Sequence, residues 1–173
     1  MSAPASTVAT SSGFTLLELM VTVAVLAILV TVALPSFSAM IARNQIAVAG
    51  NDLIAGLQLA RHEAIRRNTA VQVCASADGR ACSDVDWNRW IVRTSSGVVL
   101  RSGKIPAVVT VLPQGAFQHG LQFDTTGLFH GRRSQDRQGH LVLCSARTER
   151  RLQLEASSGI RIQFAPSAQG SCA

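Results

Sequence analysis

Ser11-Ser12-Gly13-Phe14-Thr15-Leu16-Leu17-Glu18-Leu19 runs directly into Met20-Val-Thr-Val-Ala-Val-Leu-Ala-Ile-Leu-Val-Thr-Val-Ala-Leu34 and then Pro35. From Leu19 to Ala42 there is no charged residue. A helix from Phe14 to Leu34 would be about 32 Å long at about 1.5 Å per residue, close to the hydrocarbon thickness of a bilayer. The segment is therefore read as a single membrane span. A secretory signal peptide would need a basic start and a shorter apolar run, and Met1 to Gly13 holds no Lys or Arg. A helix apolar on all sides inside a soluble core would need more surrounding chain than this one supplies.

Outward from that stretch, 173 residues with 47% apolar content, 13 Gly and 5 Pro fit one domain with a real core, and exclude disordered, collagenous and multidomain-enzyme classes. Beyond Pro35 a helical pattern continues. Phe37, Met40, Ile41, Asn44, Val48, Leu53, Ile54, Leu57, Ala60, Ala64 and Ile65 recur at three- and four-residue steps, which predicts an amphipathic helix ending near Asn68. Pro35 removes a backbone donor, and Gly50 and Gly56 lower helix propensity.

After Asn68 the period changes to two. Ala70–Ser76, Trp90–Thr94, Val98–Arg101, Val108–Leu112, Leu121–Phe123, His140–Ala146, Arg151–Ala156 and Ile160–Phe164 read as short strands between Gly, Ser, Pro and Asp clusters. The last two form the clearest hairpin: Leu152, Leu154 and Ala156 answer Ile160, Ile162 and Phe164 across Ser157-Ser158-Gly159. The fold class is α+β, a long N-terminal helix packed on a C-terminal antiparallel sheet domain. The expected organisation is a leader at 1–13, a transmembrane helix at 14–35, its amphipathic continuation at 36–68 and a β-rich domain at 69–173.

Glu18 inside the apolar segment is a functional candidate by default, because a carboxylate at the centre of a membrane helix costs about 2.5 to 3.5 kcal/mol on insertion scales. The competing reading places it at the helix end, reaching headgroups or water. Cys74, Cys82, Cys144 and Cys172 all follow the span and none forms a Cys-x-x-Cys pattern. An even count in a membrane-anchored domain suggests disulfides in an oxidising compartment, against the alternative of buried thiols. Of the three possible pairings the favoured one joins Cys74 with Cys82, closing a short loop, and Cys144 with Cys172, fastening the C-terminal tail to a strand.

The segment Ser11 to Leu19 resembles the processing site of type IV prepilins and type II secretion pseudopilins: glycine, then Phe-Thr-Leu-Leu-Glu, then about twenty apolar residues. The resemblance implies cleavage by a prepilin peptidase between Gly13 and Phe14, with N-methylation of Phe14, and roles in assembly for Glu18 and Pro35. The uncharged leader departs from the family, whose leaders carry Lys or Arg. The run Leu121-Gln-Phe-Asp-Thr-Thr-Gly127 and the terminal hairpin before Ile160-Arg-Ile look like the GspH/FimT group of minor pilins and H-type pseudopilins. A protein of that kind is a structural subunit of a type IV pilus or a type II secretion pseudopilus. The resemblance implies a single pass through the bacterial inner membrane, a periplasmic β-domain and incorporation into a filament. Its expected partners are the membrane, prepilin peptidase, other minor subunits and the major subunit.

No enzyme is expected. Gly-x-Gly-x-x-Gly, Gly-x-x-x-x-Gly-Lys-Ser/Thr and Gly-x-Ser-x-Gly are absent from the sequence, and no cofactor is implied. His62, His119, His130 and His140 lack metal-site spacing. Asp78, Asp84 and Asp86 lack the ligand spacing of a calcium loop and read as a solvated loop. Arg132, Arg133, Arg150, Arg151 and Arg161 fall in a basic run that is a candidate surface for DNA or an acidic partner. The alternative function is DNA uptake, since FimT-like minor pilins include DNA receptors with a C-terminal Gly-Arg-x-Arg motif. Here the matching place reads Gly159-Ile160-Arg161-Ile162, with one arginine kept and another lost.

Overall fold

The computed structural model describes residues 14–84, 86–134, 136–146, 148–157 and 159–163, with backbone alone for 32–35, 148–151, 157 and 159–163. Its order is one helix, α1 (Leu16–Arg67), followed by β1 (Val71–Ala75), β2 (Arg89–Thr94), β3 (Val99–Lys104), β4 (Thr110–Gly115), β5 (Leu121–Phe123), β6 (Phe129–Gly131), β7 (Gly139–Ser145), β8 (Thr148–Ser157) and β9 (Gly159–Gln163). Two compact units divide between Phe37 and Ser38.

The first unit holds the start of α1. Its apolar side chains from Leu16 to Val30 are largely exposed, and the helix is long and apolar enough to cross a membrane. Helical backbone runs through Pro35 without interruption.

In the second unit the rest of α1 packs on two antiparallel sheets, ordered β3-β2-β1-β5-β6 and β4-β7-β8-β9. The buried apolar side chains of the helix are Ala42, Ile46, Ala49, Leu53, Leu57, Ala60 and Ala64, spaced four or three apart as one helical stripe requires. This corrects the sequence reading. Phe37, Met40, Ile41, Val48 and Ile65 were expected on the packed face but are exposed, Met40 at 66% and Val48 at 63%. The buried stripe mixes Ile46, Leu53 and Leu57 with four alanines and the buried Gly50 and Gly56, the small residues lying where the sheets come close to the helix backbone. A Cβ on Gly56 would collide with the Trp90 ring, and one on Gly50 with the Leu152 side chain. The two glycines thus trade helix propensity for close approach.

Trp90 lies between two glycines, since Gly103 on β3 is also too close to its ring to accept a Cβ. The Arg101 guanidinium sits over the indole at 6.0 Å from the ring centroid and pairs with Asp52 of α1 at 2.5 Å. Leu141, Leu143, Leu152 and Leu154 of the second sheet complete the same core with Phe117, Phe123 and Ile105. By the apolar-area relation each fully buried large side chain contributes about 1.5 to 3 kcal/mol.

Helix α1 ends where expected. Asn68 adopts φ 49°, Thr69 N–H donates to the Ala64 carbonyl at 3.2 Å and Asn68 N–H to the Ile65 carbonyl at 3.3 Å. That is a Schellman closure with Asn in the left-handed position.

The terminal hairpin has the expected register, with Leu154 opposite Ile162 and Ala156 opposite Ile160; Phe164 lies outside the described residues. Strand β6 was not foreseen. It pairs with β5 through the turn Asp124 to Gly127, in which the Asp124 carboxylate accepts the N–H groups of Thr126 and Leu128 and Gly127 takes φ 78°. Strand β4 runs to Gly115 through Pro113, which an edge strand tolerates.

Candidate functional site

The first turn of α1 is built by Thr15. Its Oγ1 accepts the Glu18 N–H at 3.2 Å and its carbonyl accepts the Leu19 N–H at 3.1 Å. Thr15-Leu16-Leu17-Glu18 is thus an N-cap with an acidic residue at the third helical position. Glu18 stands in the first turn, where a negative charge interacts favourably with the helix dipole. Phe14 precedes the cap and is exposed, and Gly13 lies outside the described residues. The side chain of Pro35 also lies outside them.

A second cluster forms on the β-domain. The Asp84 carboxylate accepts from His119 Nδ1 at 3.2 Å, Arg132 Nη2 at 3.1 Å and Arg133 Nη1 at 2.5 Å. Arg132 Nε also donates to the His119 carbonyl at 2.7 Å, and its side chain is only 15% exposed. Burial alone would raise the Asp84 pKa; the His119 hydrogen bond and the charges of Arg133 and Arg132 outweigh it and hold the group below its usual value. A shallow recess of about 190 Å³ lies beside the cluster, lined by residues including Gln118, His119, Arg132, Arg133 and Asp136.

Two of the five candidate arginines are therefore anchored to a carboxylate rather than presented as open charge. Sequence spacing gave no sign of Asp84 as their partner, because 48 residues separate it from Arg132. The side chains of Arg150, Arg151 and Arg161 lie outside the described residues.

Cys74 and Cys82 form a disulfide with Cα atoms 5.5 Å apart, as expected. Cys144 is disulfide-bonded, and Cys172 lies outside the described residues. The loop that Cys74 and Cys82 close is ordered from within. Asp78 Oδ1 accepts the N–H groups of Ala81 at 2.9 Å and Arg80 at 2.8 Å and the Ser76 hydroxyl at 3.1 Å. Those backbone donors, Ala81 first, hold the Asp78 pKa down to about 2. Asp78 and Asp84 thus have protein donors on their oxygens.

Residues 49–159 match the model of the type II transport protein GspH family. The chain belongs to the GspH family. Residues 9–34 match the prokaryotic N-terminal methylation motif, which covers the Thr15 cap, Glu18 and the apolar run.

Among solved structures, the type IV minor pilin FimU of Pseudomonas aeruginosa in one crystal form is 25% identical with a TM-score of 0.55, covering 75% of this chain and 95% of FimU. A second crystal form gives 24% identity and 0.53, covering 73% and 97%. The minor pseudopilin EpsH from the type 2 secretion system of Vibrio cholerae is 11% identical with a TM-score of 0.48, covering 72% and 99%. No curated protein sequence matches the chain. This GspH-family member shares with FimU the long helix on antiparallel sheet, and the comparisons lend no support to DNA binding.

Proposed function

We propose that this protein is a minor pilin or H-type pseudopilin, a non-enzymatic structural subunit of a type IV pilus or type II secretion pseudopilus. The observation that carries the reading is the N-terminal methylation motif on an exposed apolar helix whose one charged residue before Arg43 is Glu18. Prepilin peptidase cuts between Gly13 and Phe14, and the new amine of Phe14 is methylated. The apolar helix anchors the chain in the inner membrane with the β-domain on the periplasmic side. Residues 14–35 form the span and filament core, 36–68 its continuation and 69–173 the outward domain.

On assembly the helix leaves the bilayer and packs among the helices of other subunits. Glu18 then pairs with the terminal amine of a neighbour, so its charge is not left alone in an apolar core. The exposed Phe37, Met40, Ile41 and Val48 give the continuation an apolar face for neighbouring helices. Cys172 pairs with Cys144 and ties the tail to β7.

The test is intact mass with N-terminal sequencing of membrane-extracted protein, from hosts with and without the peptidase. The expected product begins at Phe14 with one added methyl, only when the peptidase is present. A chain still beginning at Met1 in both hosts overturns the reading.

A further inference from the structure

Besides the arginine run that the sequence singles out, the β-domain carries positive charge on β2 and β3. On β2 and β3, Arg89 and Lys104 are directly opposite in register, and Arg93 stands opposite Val99 after a bulge. These residues share the face opposite Trp90 and Val92; Ile91, between Arg89 and Arg93 on that face, is buried, and Arg89 Nη1 donates to the Ala77 carbonyl at 3.3 Å, so the accessible charge lies at the two ends of the strand pair. Like charges directly opposite on a sheet destabilise it unless an anion lies between them.

Arg80 follows Gly79, where an added Cβ would lie 3.6 Å from Arg89 Cδ, so the disulfide-closed loop brings a further cation to this corner. Among the described residues Arg80, Arg89, Arg93 and Lys104 make no ion pair, and the buried Nε of Arg93 has no hydrogen-bond partner. The acidic residues nearest in sequence are Asp78, held by its own loop, Asp84, held by His119, Arg132 and Arg133, and Asp86.

The same corner is a sheet edge. Strand β3 is the last strand of its sheet, has no proline, and is entered through the exposed Val98 and Val99. One side of its backbone therefore offers N–H and C=O groups at the spacing another strand needs.

We propose that β3 is a docking edge for an acidic, extended polypeptide segment of a partner subunit, which adds to the sheet as a further strand. Its backbone pairs with β3 while its carboxylates meet Lys104 of β3, backed by Arg89 one strand further in, at one end and Arg93 at the other, about 13 Å away along the strand. A nucleic acid satisfies the charges but not the edge, because its backbone carries no N–H and C=O ladder. The proposal deepens the assembly reading by giving the partner's chemistry, and it rests on that reading only in naming the partner a subunit.

The test uses the full chain in detergent with poly-L-glutamate as the probe. Binding should weaken about tenfold in an Arg89→Glu/Lys104→Glu variant, and by less in Arg89→Gln/Lys104→Gln, while Arg132→Glu/Arg133→Glu binds like the wild type. Amide deuterium exchange in residues 99–104 should slow on binding. Near-ultraviolet circular dichroism, unchanged from wild type, identifies the variants that keep the fold. Wild-type binding by a folded Arg89→Glu/Lys104→Glu variant, or unaltered exchange in 99–104, overturns the proposal. So does displacement of the probe by duplex DNA with no protection of β3, which assigns the patch to nucleic acid. The assay does not depend on cleavage at Gly13, so its failure is distinguishable from failure of the assembly reading.

Discussion

Residues 16–37 and 38–67 lie on one uninterrupted helix but follow opposite rules. Among its described side chains the first stretch exposes large apolar residues from Leu16 to Val30; the second buries alanine and glycine together with Ile46, Leu53 and Leu57, and exposes Met40, Val48 and Ile65. Burial in the second stretch selects for thinness, because Trp90 and Leu152 press against the helix backbone. Apolar content in the first selects for an environment outside the chain. Hydrophobicity alone thus means two different things on one helix, and neighbouring bulk decides which.

The sharpest way to break this contrast is at Glu18. Glu18→Ala leaves the β-domain untouched and should reduce incorporation into filaments by about a hundredfold, since an apolar core leaves an unpaired amine uncompensated. Immunoblotting of sheared filaments against membrane fractions reads it, and normal incorporation would refute the pairing role. On the other side of the contrast, Gly56→Val forces a branched side chain against Trp90. It should destabilise the domain by about 3 kcal/mol in urea unfolding despite removing a helix glycine. Stabilisation would mean that the close approach is relaxed in solution.

A smaller effect separates the disulfide loop from both. Cys74→Ser with Cys82→Ser should lower domain stability by about 2 kcal/mol, the value expected for a short closed loop, without altering membrane retention. The smallest effect concerns Asp78. Its folded pKa is depressed to about 2 by backbone donors, so its contribution is full above about pH 4, the unfolded value, and is lost as pH falls toward 2. Asp78→Asn should flatten that part of the acid limb, measured as urea midpoints between pH 5 and 2.

Much of this architecture is legible in the sequence because it depends on local signals. The apolar run, the helix end at Asn68, the β8–β9 register and the Cys74–Cys82 pairing each follow from spacing within a few residues. What escaped reading depends on approach at long range. The helix face was misjudged because large residues outweigh glycine in a periodicity, although Gly50 and Gly56 mark where the sheets come nearest. Strand β6 has only three residues, too few for a period of two to register. The division into two sheets, and the meeting of Asp84 with Arg132, Arg133 and His119, arise from topology that alternation along a strand does not encode.

The placement of Trp90 between Gly56 and Gly103 has an optical consequence. The chain has two tryptophans and no tyrosine, and Trp87 and Trp90 are both buried in the β-domain. Near-ultraviolet emission therefore reports on that domain alone, while the apolar part of the helix is dark. A fluorescence trace recorded as the protein passes from bilayer to detergent or filament will show whether the domain stays folded, with no signal from the segment that changes surroundings.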